Sequence, residues 1–253
     1  MLNDFNDLIK VASSKKLCES DYLALIPYIA NKEMEVNDND VRALIRLISN
    51  LFKQVALDAK FDEKKIRAIM TKFRDAGRRS APWRPTSSKV PGRPQDGEDG
   101  NRTARWLLDV KHKFYATEVL ATLVEVKYYL QTLSMEGAPD TSKYGLSTLF
   151  TPWLLEHKVD PGKYSDPIQL DPINFNDFIE SPRSIQSGHI FPLDRGGVHH
   201  PSNTFLMLFR SNQIQGNMTV DELLKFMRRT ISRHDTALQN NSILEEKIRE
   251  LTV

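Results

Sequence analysis

A chain of 253 residues, 40% hydrophobic and 27% charged, has the make-up of an ordinary globular protein, with enough apolar material for one large core or two modest ones. Its net charge of +2 leaves any basic binding surface to local clustering. A single cysteine, Cys18, excludes an intramolecular disulfide and a zinc site built on cysteine pairs. No apolar run nears the roughly 20 residues of a membrane span. The start, Met1-Leu2-Asn3-Asp4-Phe5, lacks the regions of a secretory signal, so a cytoplasmic protein is expected.

In chain order, Val41, Leu44, Ile45, Ile48, Leu51, Phe52 and Val55 recur at i, i+3, i+4 and i+7, which predicts an amphipathic helix capped by Asn39 or Asp40. A second helix is predicted from near Asp62, with Ile66, Ile69, Met70 and Phe73 inward and Gly77 as its stop. Both stripes read as core, so residues 1–77 are expected to form an N-terminal helical region. The composition changes over 78–104. Pro82, Pro85, Pro91 and Pro94 alternate with Gly92, Gly97 and Gly100, which no helix or central strand tolerates. Arg78, Arg79, Arg84, Lys89, Arg93 and Arg102 surround Trp83, so this stretch is either a basic arm that follows a phosphate backbone or a solvated linker. The acidic run Asp96-Gly97-Glu98-Asp99 weighs against the arm.

Residues 105–133 read as one long or broken helix, with Leu107, Leu108, Phe114, Val119, Leu120, Leu123, Val124, Tyr129 and Leu130 buried. From 135 to 178 the return of Gly137, Pro139, Gly145, Pro152, Pro161, Gly162, Pro167 and Pro172 predicts loops, where recognition elements often sit. Thr219-Val220-Asp221-Glu222 has capping-box spacing and opens a helix with Leu223, Leu224, Phe226 and Met227 inward. Lys225, Arg228 and Arg229 face outward, and Arg233 and His234 extend that basic side. A last helix is predicted over 238–251.

The richest stretch is Ser187-Gly188-His189-Ile190-Phe191-Pro192-Leu193-Asp194-Arg195-Gly196-Gly197-Val198-His199-His200-Pro201-Ser202-Asn203 and its continuation to Asn217. It reads as an apolar strand ending in a histidine, a Gly-Gly loop, a second apolar strand and a short polar helix. Phosphodiester hydrolysis needs an activated water, charge stabilisation at phosphorus and help for the departing 3′ oxygen. A divalent cation supplies the last two, and a histidine unprotonated at working pH is a natural base for the water.

This stretch resembles the HNH endonucleases, in which a ββα-metal core hydrolyses nucleic-acid backbones. Gly196-Gly197-Val198-His199-His200-Pro201-Ser202-Asn203 looks like the Gly-Gly-x-His-x-Pro-x-Asn loop of that family. The resemblance implies a mainly α, α+β protein: a helical N-terminal region and a C-terminal ββα-metal (HNH) nuclease core. Residues 179–253 would form the nuclease module with its C-terminal helices, and 105–178 a helical and loop-rich DNA-recognition region. His189 falls on the general base, Asn203 on the asparagine that ties the loop, and Asn212 on the third position, where His or Asn ligates the metal. Gln215 stands where lysine is common, and Asn217 is expected to cap backbone.

Gly188 occupies the place of the family's first metal ligand, so either Asn212 and water hold the ion, or Asp194, Asp171 or Asp177 supplies the missing oxygen. His199 is expected to brace the loop or contact phosphate, and His200, His112 and His157 to have no catalytic part. Arg195 and Arg210, with Arg78, Arg79 and Arg84, are the candidate DNA contacts. The implied cofactor is Mg²⁺, with Mn²⁺ as a substitute and no structural zinc. The implied activity is double-strand DNA cleavage by a type II restriction endonuclease, leaving 5′-phosphate and 3′-hydroxyl ends and acting as a homodimer. The open alternatives are a DNA-binding module that does not cut and a toxin-like or nicking nuclease.

Overall fold

The computed structural model describes residues 17–79, 103–240 and 248–249. Its elements are α1 (Glu19–Ala30), α2 (Asp38–Asp58), α3 (Glu63–Gly77), α4 (Glu118–Thr132), α5 (Phe175–Glu180), β1 (Ile185–His189), β2 (Thr204–Leu208), α6 (Phe209–Gln215) and α7 (Val220–Asn240). The molecule is thus mainly helical, with one two-stranded sheet among the described residues. No helix among them is long and apolar enough to cross a membrane.

The first predicted stripe forms α2, and all seven of its apolar positions are buried. Its cap is Asn37, not Asn39 or Asp40. The Asn37 side chain accepts from the amides of Asn39 (2.9 Å) and Asp40 (3.1 Å), while the Asp40 carboxylate reaches back to the Asn37 amide (3.0 Å). The second stripe forms α3, capped by Asp62, with Ile66, Ile69 and Phe73 buried and Met70 partly so. Gly77 ends α3 for a packing reason. A Cβ there would lie 2.9 Å from both Cβ and N of Glu125, so glycine lets α3 cross closely over α4.

The predicted helix over 105–133 is broken. Arg105–Leu107 form a 3-10 turn, and α4 begins at Glu118, where the Thr117 hydroxyl accepts from the Leu120 amide (3.3 Å). The break has a cause in Arg105. Its buried guanidinium donates to the carbonyls of Gly77 (3.0 Å), Ala76 (3.1 Å) and Phe114 (3.1 Å). Those carbonyls include end groups of α3 that lack partners within the helix, and meeting them pins 105 in a turn. Leu107, expected inside, is consequently 71% exposed.

α4 is the central element, buried all round from Ala121 to Thr132 with its polar residues included. Lys127 donates to the Pro201 carbonyl (2.7 Å), pairs with Glu156 (3.3 Å) and lies 3.6 Å from the centroid of the Phe205 ring. Burial pushes its ammonium pKa down to about 8. The Gln131 side-chain oxygen accepts from the Leu206 amide (3.1 Å). These polar groups fix β2 against the helical part. An aromatic group of Phe52, Phe73, Tyr129, Phe175 and Phe178 closes the other side, with Phe73 5.1 Å from Tyr129 and 5.9 Å from Phe178 between centroids. One apolar cluster runs from Leu17 to Leu206, so the helical part and the hairpin share a core.

β1 and β2 pair antiparallel from Ile185↔Leu208 to His189↔Thr204, and α6 follows β2 directly. That corner is held from the loop-rich region by buried Asp166, whose carboxylate accepts from the Leu208 amide (2.7 Å) and the Ser211 hydroxyl (2.8 Å). The capping box at Thr219 is formed, with the Glu222 carboxylate accepting from the Thr219 amide (3.0 Å). The inward face expected for α7 is not. Leu223 is buried, but Leu224, Phe226 and Met227 are 41%, 47% and 42% exposed. Near its start α7 meets α6, and its Glu222 pairs with Arg195, while Leu224, Phe226 and Met227 lie exposed among the described residues. Most of the helix predicted over 238–251 and most of the 78–104 arm, Arg84 included, lie outside the described residues.

Candidate active site

A cleft of about 1290 Å³ separates α3 from β1. Ala68, Thr71, Lys72, Asp75 and Ala76 line it from α3, Arg105 from the turn, and Gln186, Ser187, Gly188 and His189 from β1, with Asn212, Gln215 and Asn217 beyond. Among the described residues β1 is paired with β2 alone.

His189 is the last residue of β1. Its Nε2 lies 3.1 Å from His199 Nδ1, and His199 Nε2 lies 2.7 Å from the Gly77 carbonyl at the end of α3. His189 Nδ1 makes no hydrogen bond among the described residues. Burial first, and the nearby Arg105 charge second, push the pKa of His189 down to about 4, so its ring is neutral at ordinary pH. Below the ring, the Gln215 amide donates to the carbonyls of His189 and Ile190, each at 3.0 Å, and of Met218 (3.2 Å). The backbone that carries His189 is thereby clamped from α6.

Asn212 stands one turn into α6. Its amide nitrogen donates to the Gln186 side-chain oxygen (2.7 Å), which turns the amide and leaves Oδ1 without a hydrogen bond among the described residues. That oxygen lies 3.1 Å from where a Cβ on Gly188 would sit, directly beside the residue that precedes His189. Gly188 itself is explained by packing. A Cβ there would fall 2.6 Å from both Sδ and Cε of Met207, so the thioether fills the space of a side chain at 188.

The loop between the strands is tied by Asn203. Its side-chain oxygen accepts from the Phe191 amide (2.7 Å), and its nitrogen donates to the carbonyls of Phe191 (3.0 Å) and Val198 (2.9 Å). The Gly-Gly pair has two separate reasons. Gly196 adopts φ +90°, and a Cβ on Gly197 would lie 2.2 Å from the Phe191 oxygen.

Other expected site residues fall in varied places. His199, expected to brace the loop or contact phosphate, is 2% exposed, with both ring nitrogens in contacts to His189 and the Gly77 carbonyl. Asp194 lines the cleft, exposed and paired with Lys113. Asp171 and Asp177 are exposed and absent from the cleft wall. Arg195 pairs with Glu222, Arg79 with Asp75 (3.4 Å), and Arg78 stacks 5.4 Å from the Trp106 ring centroid. Arg210 is exposed with no ion pair among the described residues. His200 caps the 3-10 turn at Pro201, His112 accepts from the Phe114 amide (3.1 Å), and His157 sits at the Lys158 carbonyl (2.9 Å).

Sequence reading missed Gln186, Arg105, Lys72 and Arg183. The Lys72 ammonium, its pKa lowered to about 8 by burial, donates to the carbonyls of Pro182 and Ile185 and ties α3 to β1. Arg183 is an exposed cation on the cleft wall. None of these carries a motif that would mark it.

No group of three or more His, Cys, Asp or Glu side chains among the described residues is placed to hold a metal ion. Asn212 Oδ1 is an open oxygen donor on the cleft wall, which the carboxylates of Asp75 and Asp194 also line. Mg²⁺ keeps several waters and takes oxygen donors and substrate phosphates, so this oxygen lining is compatible with a weakly held ion that phosphate would complete.

No protein-family model matches this chain, and no curated protein does. A solved chain to which it is similar is described as the crystal structure of a type II restriction endonuclease, 19% identical over 49% of this chain and 55% of that one, with a TM-score of 0.40. This chain therefore spans about half the length of that protein. Likeness at this level carries no functional conclusion.

Proposed function

We propose that this protein is a metal-dependent DNA endonuclease of the HNH type, with β1, β2 and α6 as its ββα-metal core. The observation that carries the reading is His189, its Nδ1 without a hydrogen bond among the described residues, lining the same cleft as Asn212 with its open amide oxygen. The motif residues supply the rest of the support, with Asn203 tying the Gly-Gly loop and Gln215 fixing the main chain under the base.

In this reading His189 Nδ1 takes a proton from water as the water oxygen bonds to phosphorus and the P–O3′ bond breaks, leaving 5′-phosphate and 3′-hydroxyl ends. Mg²⁺, when bound, would stabilise charge on the phosphate and on the departing oxygen. Asn212 would hold it through Oδ1, and Gln186 orients that amide. Arg183 and Arg210, exposed without ion pairs among the described residues, are the side chains best placed to meet backbone phosphates. Arg195 would join them by exchanging Glu222 for phosphate.

The finer reading is sequence-specific double-strand cleavage by a type II restriction endonuclease. One site cuts one strand, so cutting both calls for two copies, and the exposed Leu224, Met227 and Ile231 of α7, at i, i+3 and i+7, give an apolar face for association. Plasmid digestion with Mg²⁺ or Mn²⁺, followed by sequencing of the ends, tests this. Discrete metal-dependent fragments with common ends support it. DNA binding without cleavage would instead favour a binding module, and a smear or nicked circles a toxin-like or nicking nuclease.

A further inference from the structure

Three polar groups stand in line across the boundary between the helical part and the hairpin: Gly77 oxygen, the His199 ring and the His189 ring. A carbonyl oxygen only accepts, so the 2.7 Å contact places a proton on His199 Nε2. A second proton on Nδ1 would make His199 a cation. It is 2% exposed and close to Arg105, whose guanidinium already donates to the same Gly77 oxygen, so the cation is disfavoured. The groups facing this ring, Arg105, His189 and His200, offer no carboxylate to stabilise one. His199 Nδ1 is therefore a lone pair, and the 3.1 Å contact requires His189 Nε2 to donate to it. The neutral His189 ring then has its proton on Nε2 and its lone pair on Nδ1.

We propose that His199 is a positioning residue: held by the last carbonyl of α3, it fixes the tautomer and ring plane of His189 so that Nδ1 faces the cleft. This rests on the reading of His189 as the general base. The same contact changes strength during reaction. When water gives its proton to His189 Nδ1, the ring becomes an imidazolium and the Nε2–H···Nδ1 bond becomes charge-assisted, stronger than in the ground state. His199 stays neutral throughout, and no second proton moves. The negative end of the α3 dipole lies behind it at Gly77, with Arg105 offsetting part of that field. In this way the helical region sets the base in the hairpin, which explains why His199 is buried rather than exposed to substrate.

The test uses the full chain with its imidazoles labelled with ¹⁵N. In the metal-free wild type, long-range proton–nitrogen spectra are expected to show His189 and His199 both as Nε2–H tautomers. His189 as Nδ1–H would overturn the proposal whatever the activity. His199→Phe keeps the ring volume but removes donor and acceptor, and is expected to lower single-turnover cleavage on the order of 100-fold with unchanged DNA affinity. His199→Gln carries an amide donor and acceptor at similar reach and is expected to recover most of that loss. Cleavage by folded His199→Phe within twofold of wild type would overturn the proposal, as would equal defects in Phe and Gln variants of equal melting temperature. Should the Phe variant not fold, the wild-type spectrum and the Gln variant decide. A wild type that cuts nothing overturns the nuclease reading, and the tautomer spectra still judge the contact on its own.

Discussion

The helical part and the hairpin are stabilised in different ways. In α2, α3 and α4 apolar side chains meet across a continuous core, to which α4 adds the buried Lys127 and Gln131 that reach Pro201 and β2. Around β1, β2 and α6 a set of directed hydrogen bonds aims a few side chains: Gln215 under His189, Gln186 on Asn212, Asn203 across the loop, Asp166 at the corner. Apolar burial tolerates exchange of one hydrophobic shape for another of similar volume, whereas an aimed amide does not survive loss of its partner. Changes in the first part are thus expected to act on stability and changes in the second on rate.

Phe73→Ala gives the largest effect on the stability side. Phe73 is fully buried against Phe52, Tyr128, Tyr129 and Phe178, and its loss is expected to cost about 3–5 kcal/mol in denaturant unfolding. Cleavage per folded molecule should not change; a large fall in it would break the division. On the rate side, Asn212→Ala is expected to reduce Mg²⁺-dependent cleavage on the order of 100-fold while the melting temperature moves little. Asn212→Asp, which keeps an oxygen donor and adds charge, should retain activity and need less Mg²⁺. Equal rates for wild type and Asn212→Ala would remove the metal from this residue.

Gln215→Leu is a sharper probe because the hydrogen bonds of this side chain go to main-chain carbonyls. Loss of its bonds to the His189 and Ile190 carbonyls is expected to lower the single-turnover rate roughly 10-fold, on the scale of other groups that orient a reacting side chain. It also removes the Gln215 partner of three part-buried carbonyls, at about 1–3 kcal/mol of stability. A change in stability alone would make Gln215 a structural brace and no more.

The pH dependence follows from the lowered pKa of His189. Its lone pair is lost only as pH falls through about 4, so cleavage is expected to be flat where an ordinary histidine would titrate, near 6.5. A limb at 6.5 would mean that the ring is more exposed to water than its surroundings imply. Linkage gives a second reading of the same shift. The unfolded chain binds this proton more readily than the folded one, so stability present above pH 6.5 declines as pH falls from there toward 4. The smallest effect is at the surface, where Arg195→Ala breaks an exposed, solvent-screened pair with Glu222 and is expected to leave the melting temperature nearly unchanged.

Legibility in the sequence followed the same division. The periodic stripes of α2 and α3 are legible because burial leaves a repeating mark, and the start at Asp62 and stop at Gly77 make both ends of α3 legible too. The strand–loop–strand–helix order around His189 was also legible, from the Gly-Gly pair and the two apolar runs. The break at Arg105 was not, because its cause is a set of carbonyls that folding brings to it from α3 and Phe114. The partners of the site residues were hidden for a similar reason: Gln186 and His199 act through contacts 26 and 122 residues away in sequence. On α7 the sequence promised an inward face, and periodicity carries no information on whether a partner for that face lies in the same chain.

The central claim, that His189 is the base of a DNA-cleaving site, is tested most directly by single-turnover digestion of a supercoiled plasmid with Mg²⁺, wild type against His189→Ala. DNA binding and melting temperature are followed on the same samples. The expected result is a rate lower by about 10²–10⁴ in the variant, with binding preserved. Cleavage by folded His189→Ala at a rate within tenfold of wild type would contradict it.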